Sequence, residues 1–210
     1  MIEPTDKRQR LIGLAFPAMV GLRVLGAALS PLLFAHLPIL LIAMSPFLIH
    51  LVAVAPLVSP AAYFPVALVI TTAQAALGFL FGYTYGQRAL SWLLDRIPIP
   101  DTVVERCLAP IRKASVPAIF AIPGPVLGVT AGVAGVRPRT FAICVAPAQA
   151  LWVTAAYLLG QALLVYIEIA RNFVIDHAFV LTGATITIVA LRWLFELYRR
   201  RKRRRKDSVD

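Results

Sequence analysis

The chain has 210 residues, 60% of them hydrophobic and 15% charged, and its 21 Lys and Arg outnumber 10 Asp and Glu to leave a net charge of +11. No Asp, Glu, Lys or Arg occurs from Val24 to Gln87; a soluble domain of this size has no interior able to hide so much apolar surface, so that class is excluded. About 20 apolar residues cross the roughly 30 Å hydrocarbon layer, and helices satisfy their own backbone there, so an all-α polytopic membrane protein is predicted.

Residues 1–10 are basic and lie before the first apolar run. The stretch KRQRLIGLAFPAMVGL from Lys7 has the basic and apolar regions of a secretory signal, but Arg23 interrupts it and apolar character resumes, which predicts a retained helix. Apolar runs occupy 11–35, 37–58, 61–87, 114–136, 140–167 and 177–198. Short cytoplasmic connections collect Lys and Arg. Here the basic residues cluster at Lys7, Arg8 and Arg10, at Arg88 to Lys113, at Arg137 and Arg139, and in the tail RRRKRRRK at 199–206.

With the first two clusters on one side, the chain between 11 and 87 crosses an even number of times although it holds three apolar runs. The middle run, residues 37–60, is therefore expected to be re-entrant; Pro38, Pro46, Pro56 and Pro60 break helical hydrogen bonding along it. Next, DTVVERCLAPIRK from Asp101 reads as a short amphipathic helix, within an interfacial segment over 91–113. Residues 114–136 also begin and end beside basic clusters and form the second expected re-entrant hairpin, with Pro123, Gly124 and Pro125 at its turn. The runs at 140–167 and 177–198 then cross out and back, with Glu168, Arg171 and Asp176 outside. About four full transmembrane helices result, in one membrane domain over 11–198 followed by a basic cytoplasmic tail over 199–210. Both termini are placed in the cytoplasm and the protein in the cell membrane.

The span after each expected hairpin carries the same letters. AQAALGFLFGYTYGQRAL (73–90) and AQALWVTAAYLLGQAL (148–163) share A-Q-A and then Y-x-x-G-Q. Two such units entering from opposite faces make an inverted repeat, a construction common in transporters. Gln74 and Gln149 occupy matching places and are candidates to bond each other or a headgroup. Gly124, Gly128 and Gly132 form a G-x-x-x-G-x-x-x-G series, suited to close helix packing or to lining a path. Arg23 lies where an unpaired charge is costly and needs water, a carbonyl or an anion such as a lipid phosphate. Arg88, Arg137 and Arg139 sit where the units reach the cytoplasmic face, as phosphate contacts or as topology determinants.

His36, His50 and His177 have no second ligand at helical spacing, so no metal is proposed. Cys107 and Cys144 suggest packing rather than a disulfide. No enzyme motif or cofactor signature is visible. The expected partners are anionic membrane lipids, drawn to the basic tail and surface segment; a homo-oligomer is compatible with the sequence, and no nucleic acid is expected.

I-P-G at 122–124, A-G-V-A-G-V at 131–136, Phe141 and A-L-W-V-T-A-A-Y-L-L-G at 150–160 resemble the proline-rich hairpin and tryptophan-bearing helix of the DedA (SNARE-associated, VTT-domain) family. L-G-F-L-F-G-Y-T-Y-G-Q-R at 77–88 resembles that family's L-G-x-x-x-G-Y-x-x-G-R helix. The resemblance covers roughly residues 37–163. It implies two re-entrant hairpins in inverted repeat and movement of polyprenyl-phosphate carriers or phospholipids between leaflets. It also carries departures: Phe79 stands where the family has Asp, no Glu occurs in the first hairpin, and no Arg follows I-P-G within the second. An uncoupled lipid scramblase, a transporter using other polar groups, and a scaffold without transport remain open. A small-solute permease needs a more polar path than this sequence offers.

Overall fold

The computed structural model describes residues 7–94 and 124–206. Every element among them is helical: α1 (Lys7–Ala28), α2 (Ser30–His36), α3 (Pro38–Met44), α4 (Leu48–Val54) with a 3-10 turn at Ala55–Leu57, α5 (Pro60–Tyr85), α6 (Gln87–Leu94), α7 (Pro125–Val133), α8 (Pro138–Ala162), α9 (Leu164–Asp176) and α10 (Ala178–Lys206). Three helices, α1, α5 and α8, are long and apolar enough to cross a membrane. The count becomes four if α9 and the Ala178–Leu191 part of α10, bent by 89°, form one span. The expected amphipathic segment, apart from its first four residues, lies outside the described residues, as do Cys107 and Pro123.

Prolines set most of the helix boundaries. A residue before proline is pushed away from helical torsions, and Leu37 (φ −136°, ψ 60°), Ser45 (−139°, 73°), Ser59 (−60°, 143°) and Arg137 (−61°, 133°) each precede a proline at a break. The following proline then opens α3, α5 or α8, where its missing N–H is no loss. Residues 37–57 accordingly form two short helices, α3 and α4, separated at Ser45–Phe47 rather than one continuous span.

Glycine controls the second irregular region. Gly124 has φ 112° and ψ −173°, a conformation open essentially to glycine alone, and Pro125 starts α7 immediately after it. At the other end Gly135 takes φ 74°, and the Val136 N–H donates to the Ala131 carbonyl at 3.1 Å, closing the helix as a Schellman cap.

α7 lies against α5 with backbone meeting backbone. A Cβ added at Gly78 would collide with Pro125, and one at Gly82 with Val129. One at Gly128 would strike Ala75 and Phe79, and one at Gly132 would strike Phe79 and Tyr83. The order of these contacts makes α5 and α7 parallel. The second copy of Y-x-x-G-Q does the corresponding work on the other side. Gly160 of α8 packs on Ala55 and Pro56, and the Gln161 Nε2 donates to the Ala55 carbonyl at 3.2 Å. In the first copy, Gly86 (φ 55°) instead ends α5.

α1 runs antiparallel to α5, since the Tyr85 hydroxyl near the C-terminus of α5 donates to the Gln9 carbonyl at 2.7 Å. Lys7, Arg8, Arg10, Arg88, Arg137 and Arg139 consequently gather at one end of the bundle, while Pro56 and Pro60 lie at the other. Residues 164–176, expected to include an external connection, form the helix α9, set off by breaks at Leu163 and at His177, where the chain bends by 89°.

Candidate functional site

A cavity of about 130 Å³ lies where the two irregular regions approach each other. One wall is the α3–α4 break, with Pro46, Phe47 and Leu48; the opposite wall is Gly124 and Pro125 at the start of α7. Arg23 enters from α1, Thr71 and Gln74 from α5, and Gln149, Trp152 and Val153 from α8. Gln74 and Gln149 lie near the midpoints of their helices, roughly 20 Å from either end at 1.5 Å per residue. The matching glutamines of the sequence repeat thus share one cavity with Arg23, the one charged residue between Leu11 and Gln87.

The polar side chains here are deeply placed and short of partners. Gln74 is 7% exposed and Gln149 2%. The Oε1 of Gln74, the Nε of Arg23 and the Oγ of the fully buried Ser45 make no hydrogen bond. The nearest favourable neighbour of the Arg23 charge is the face of Phe47, whose ring centre lies 4.4 Å from Cζ, a cation–π contact worth about 0.5–2 kcal/mol. Thr71 is satisfied within its own helix, its hydroxyl donating to the Ala67 carbonyl at 2.7 Å. Among the described residues lining the cavity, Arg23 carries the only formal charge.

The tip that bears Phe47 is held by local contacts. Gly26 of α1 packs directly on Met44 and Ser45, where a Cβ would stand 2.8 and 2.9 Å from their side chains. The His50 ring reaches back across the break, its Nδ1 2.7 Å from the Ser45 carbonyl, and meets Phe47 edge-on at 5.6 Å. From the far side, the Tyr63 hydroxyl of α5 donates to the Leu51 carbonyl of α4 at 3.2 Å.

The remaining predicted residues separate by role. Gly128 and Gly132 are packing residues in the α5–α7 contact, and Gly124 and Pro125 form both the turn and the cavity wall. Arg88, Arg137 and Arg139 are exposed at the basic end and do not reach the cavity. Cys144 is buried in the apolar core that joins α5, α7 and α8. Phe79, at the position where the resemblance expects Asp, stacks on Phe141 with ring centres 4.3 Å apart and planes 15° from parallel.

Sequence reasoning passed over Ser45, Phe47 and Trp152. Ser-Pro also occurs at Ser30–Pro31 and Ser59–Pro60, so nothing in the sequence set the S-P-F triplet at 45–47 apart. It passed over Gly78 and Gly82 as well, although their G-x-x-x-G spacing equals that of Gly128 and Gly132. Compared with models of protein families, with curated proteins and with solved structures, the chain matches none.

Proposed function

We propose that the protein is a DedA-like membrane protein that assists lipid, with an anionic headgroup such as a phospholipid or polyprenyl phosphate, in crossing the bilayer. In this reading residues 37–60 and 114–136 are re-entrant hairpins in inverted repeat. Residues 11–198 form the membrane domain, and the basic end of the bundle faces the cytoplasm together with the tail. The observation that carries the proposal is the convergence of Arg23, Gln74 and Gln149 on one cavity between the two irregular segments, midway along the helices. Irregular backbone at membrane depth is tolerated where it is buried in protein or lines a wet cavity, and half-helices ending near the midplane are a usual place for transported groups.

The chemistry of the walls agrees with a lipid rather than a small solute. Phe47, Leu48, Leu51 and Val153 offer apolar contact to the start of an acyl chain, while Arg23 offers a charge-assisted donor to a phosphate. The family's acidic proton-binding position is occupied by Phe79 within a stacked aromatic pair, so transport here runs without that group. Arg88, Arg137 and Arg139 act at the entrance, concentrating anionic headgroups at the cytoplasmic surface.

A second reading, a non-transporting scaffold, draws on the close α5–α7 contact, which leaves no slack for those two helices to slide. Reconstitution separates the two. Purified protein in vesicles speeds the translocation of a fluorescent anionic phospholipid, and Arg23→Gln removes the acceleration. A wild-type protein that accelerates no lipid, whether anionic or zwitterionic, overturns transport in favour of the scaffold.

A further inference from the structure

We infer that His50 sets the charge of the cavity, so that the site takes up a proton together with the anionic headgroup it holds. This inference rests on the lipid-headgroup reading of the Arg23 cavity and adds its regulation.

The geometry assigns the imidazole its tautomer. The Ser45 carbonyl can only accept, so the Nδ1 at 2.7 Å must carry hydrogen and donate. The Nε2 makes no hydrogen bond among the described residues. A proton arriving at Nε2 therefore changes the charge of the ring without breaking the contact that holds the α3–α4 break in shape. Phe47 contacts both groups, with the Arg23 guanidinium over its face at 4.4 Å and the His50 ring in a T-shaped contact at 5.6 Å. These two distances from one ring centre bound the separation of guanidinium and imidazole at about 10 Å.

Among the described residues no other titratable group competes at this place. α1 presents Arg23, whose charge is permanent. α3 presents none, α5 presents Tyr63 and α8 presents Tyr157, phenols that are neutral near neutral pH. Glu168 and Asp176, the carboxylates whose side chains are described, are exposed on α9. His36 is exposed at the end of α2, and His177 is exposed and stacked on Phe173 at the α9–α10 bend. With the neutral imidazole, Arg23 alone attracts the anion. With the imidazolium, a second positive charge within about 10 Å strengthens binding by roughly tenfold, the size Coulomb's law gives at an effective dielectric constant of about 20. By reciprocity, a bound anion holds the proton on His50 equally strongly.

The test uses the purified full chain in nonionic detergent and dihexanoyl phosphatidylglycerol, a phosphodiester whose single negative charge stays constant across the range. Binding is measured at closely spaced values from about pH 4.5 to about pH 8, so that the protonation of His50 is read from the binding itself. Wild type is expected to bind roughly tenfold more tightly at the low end of the range and to take up protons from weak buffer as it binds. His50→Gln, which keeps a donor for the Ser45 carbonyl, is expected to bind equally across the range, at the wild-type strength seen at its high end. His177→Gln retains the response. A His50→Gln protein that keeps the pH response, or a wild type that binds without proton uptake, overturns the role of His50. Loss of binding in wild type throughout the range overturns the cavity reading beneath it. Inorganic sulfate is the free-anion arm. Sulfate binding as tight as the lipid, with the same pH response, reassigns the site to a free anion while His50 keeps its role.

Discussion

Replacing Gly82 by alanine adds one methyl group at the point where α5 and α7 touch through their backbones. The new Cβ would stand 2.9 Å from the Val129 Cα and carbonyl carbon and closer still to its oxygen. Ordinary contact begins at about 3.4 Å, so α7 has to retreat by more than about 1 Å, and no flexible side chain is present to yield in its place. That retreat opens the neighbouring contacts of Gly78, Gly128 and Gly132, and a gap of 0.5–1 Å already forfeits a quarter to a half of the dispersion energy at each. Overpacking of this kind costs about 2–3 kcal/mol. For a chain of this size that lowers the melting temperature by about 5–10 °C. Gly21→Ala and Gly183→Ala are the matched controls. Their added Cβ meets nothing within 4 Å, and alanine is the better helix former by about 1 kcal/mol, so their melting temperatures hold or rise slightly. Thermal unfolding of the three variants in one detergent, followed by tryptophan fluorescence, makes the comparison. Equal melting temperatures for Gly82→Ala and Gly21→Ala would refute the packing argument.

Three further outcomes follow from the same contacts. Phe79→Asp places a carboxylate against Phe141 in an apolar core and costs several kcal/mol; the variant is expected to lose its monodisperse folded form in size-exclusion chromatography, and a stable Phe79→Asp protein would mean that water reaches this position. Side-specific labels introduced at residues 60 and 137 are expected to react from opposite faces of the membrane, because the two positions lie at opposite ends of the bundle; labelling from one face contradicts the proposed topology. Arg23→Leu is expected to raise the melting temperature by a few degrees while abolishing lipid translocation; a fall in stability would make Arg23 a structural bridge instead.

Much of this architecture is legible in the sequence because prolines and charges act locally. Pro38, Pro46, Pro60 and Pro138 each force the residue before them out of helical torsions, so the helix boundaries follow directly from their positions. Among the described residues, Lys7, Arg8, Arg10, Arg88, Arg137 and Arg139 lie at one end of the bundle, because α1 is antiparallel and α7 parallel to α5. That Gln74 and Gln149 occupy matching places is also readable, as a repeat of short motifs, whereas their lining of one cavity without bonding each other is not. What stays hidden depends on contacts between distant segments. The match of Gly78 and Gly82 to Gly128 and Gly132 becomes visible only when α5 and α7 are known to be parallel. Phe47 looks like any lipid-facing aromatic until Arg23 is placed over it. The 89° bend at His177 carries no proline or glycine to announce it, so it too is hidden in the sequence.

The balance at Arg23 connects the stability of the cavity with its use. A guanidinium in the membrane interior costs about 2.5–3.5 kcal/mol on insertion scales, and a single aromatic face returns about 0.5–2 kcal/mol of it. The remainder, together with the unpartnered Nε of Arg23 and Oε1 of Gln74, is a local instability placed at the meeting point of the two irregular segments. A side chain needed only for packing would be better served by leucine, which fills similar space without the charge. Among the described residues the site lacks an acceptor for the Arg23 Nε and a donor for the Gln74 Oε1, and in the proposed function a phosphate-bearing headgroup with a hydroxyl supplies both at once. In the proposed function, exchange of Phe47 for that headgroup removes one contact between the α3–α4 tip and α1 and leaves the other, the packing of Gly26 on Met44 and Ser45, in place.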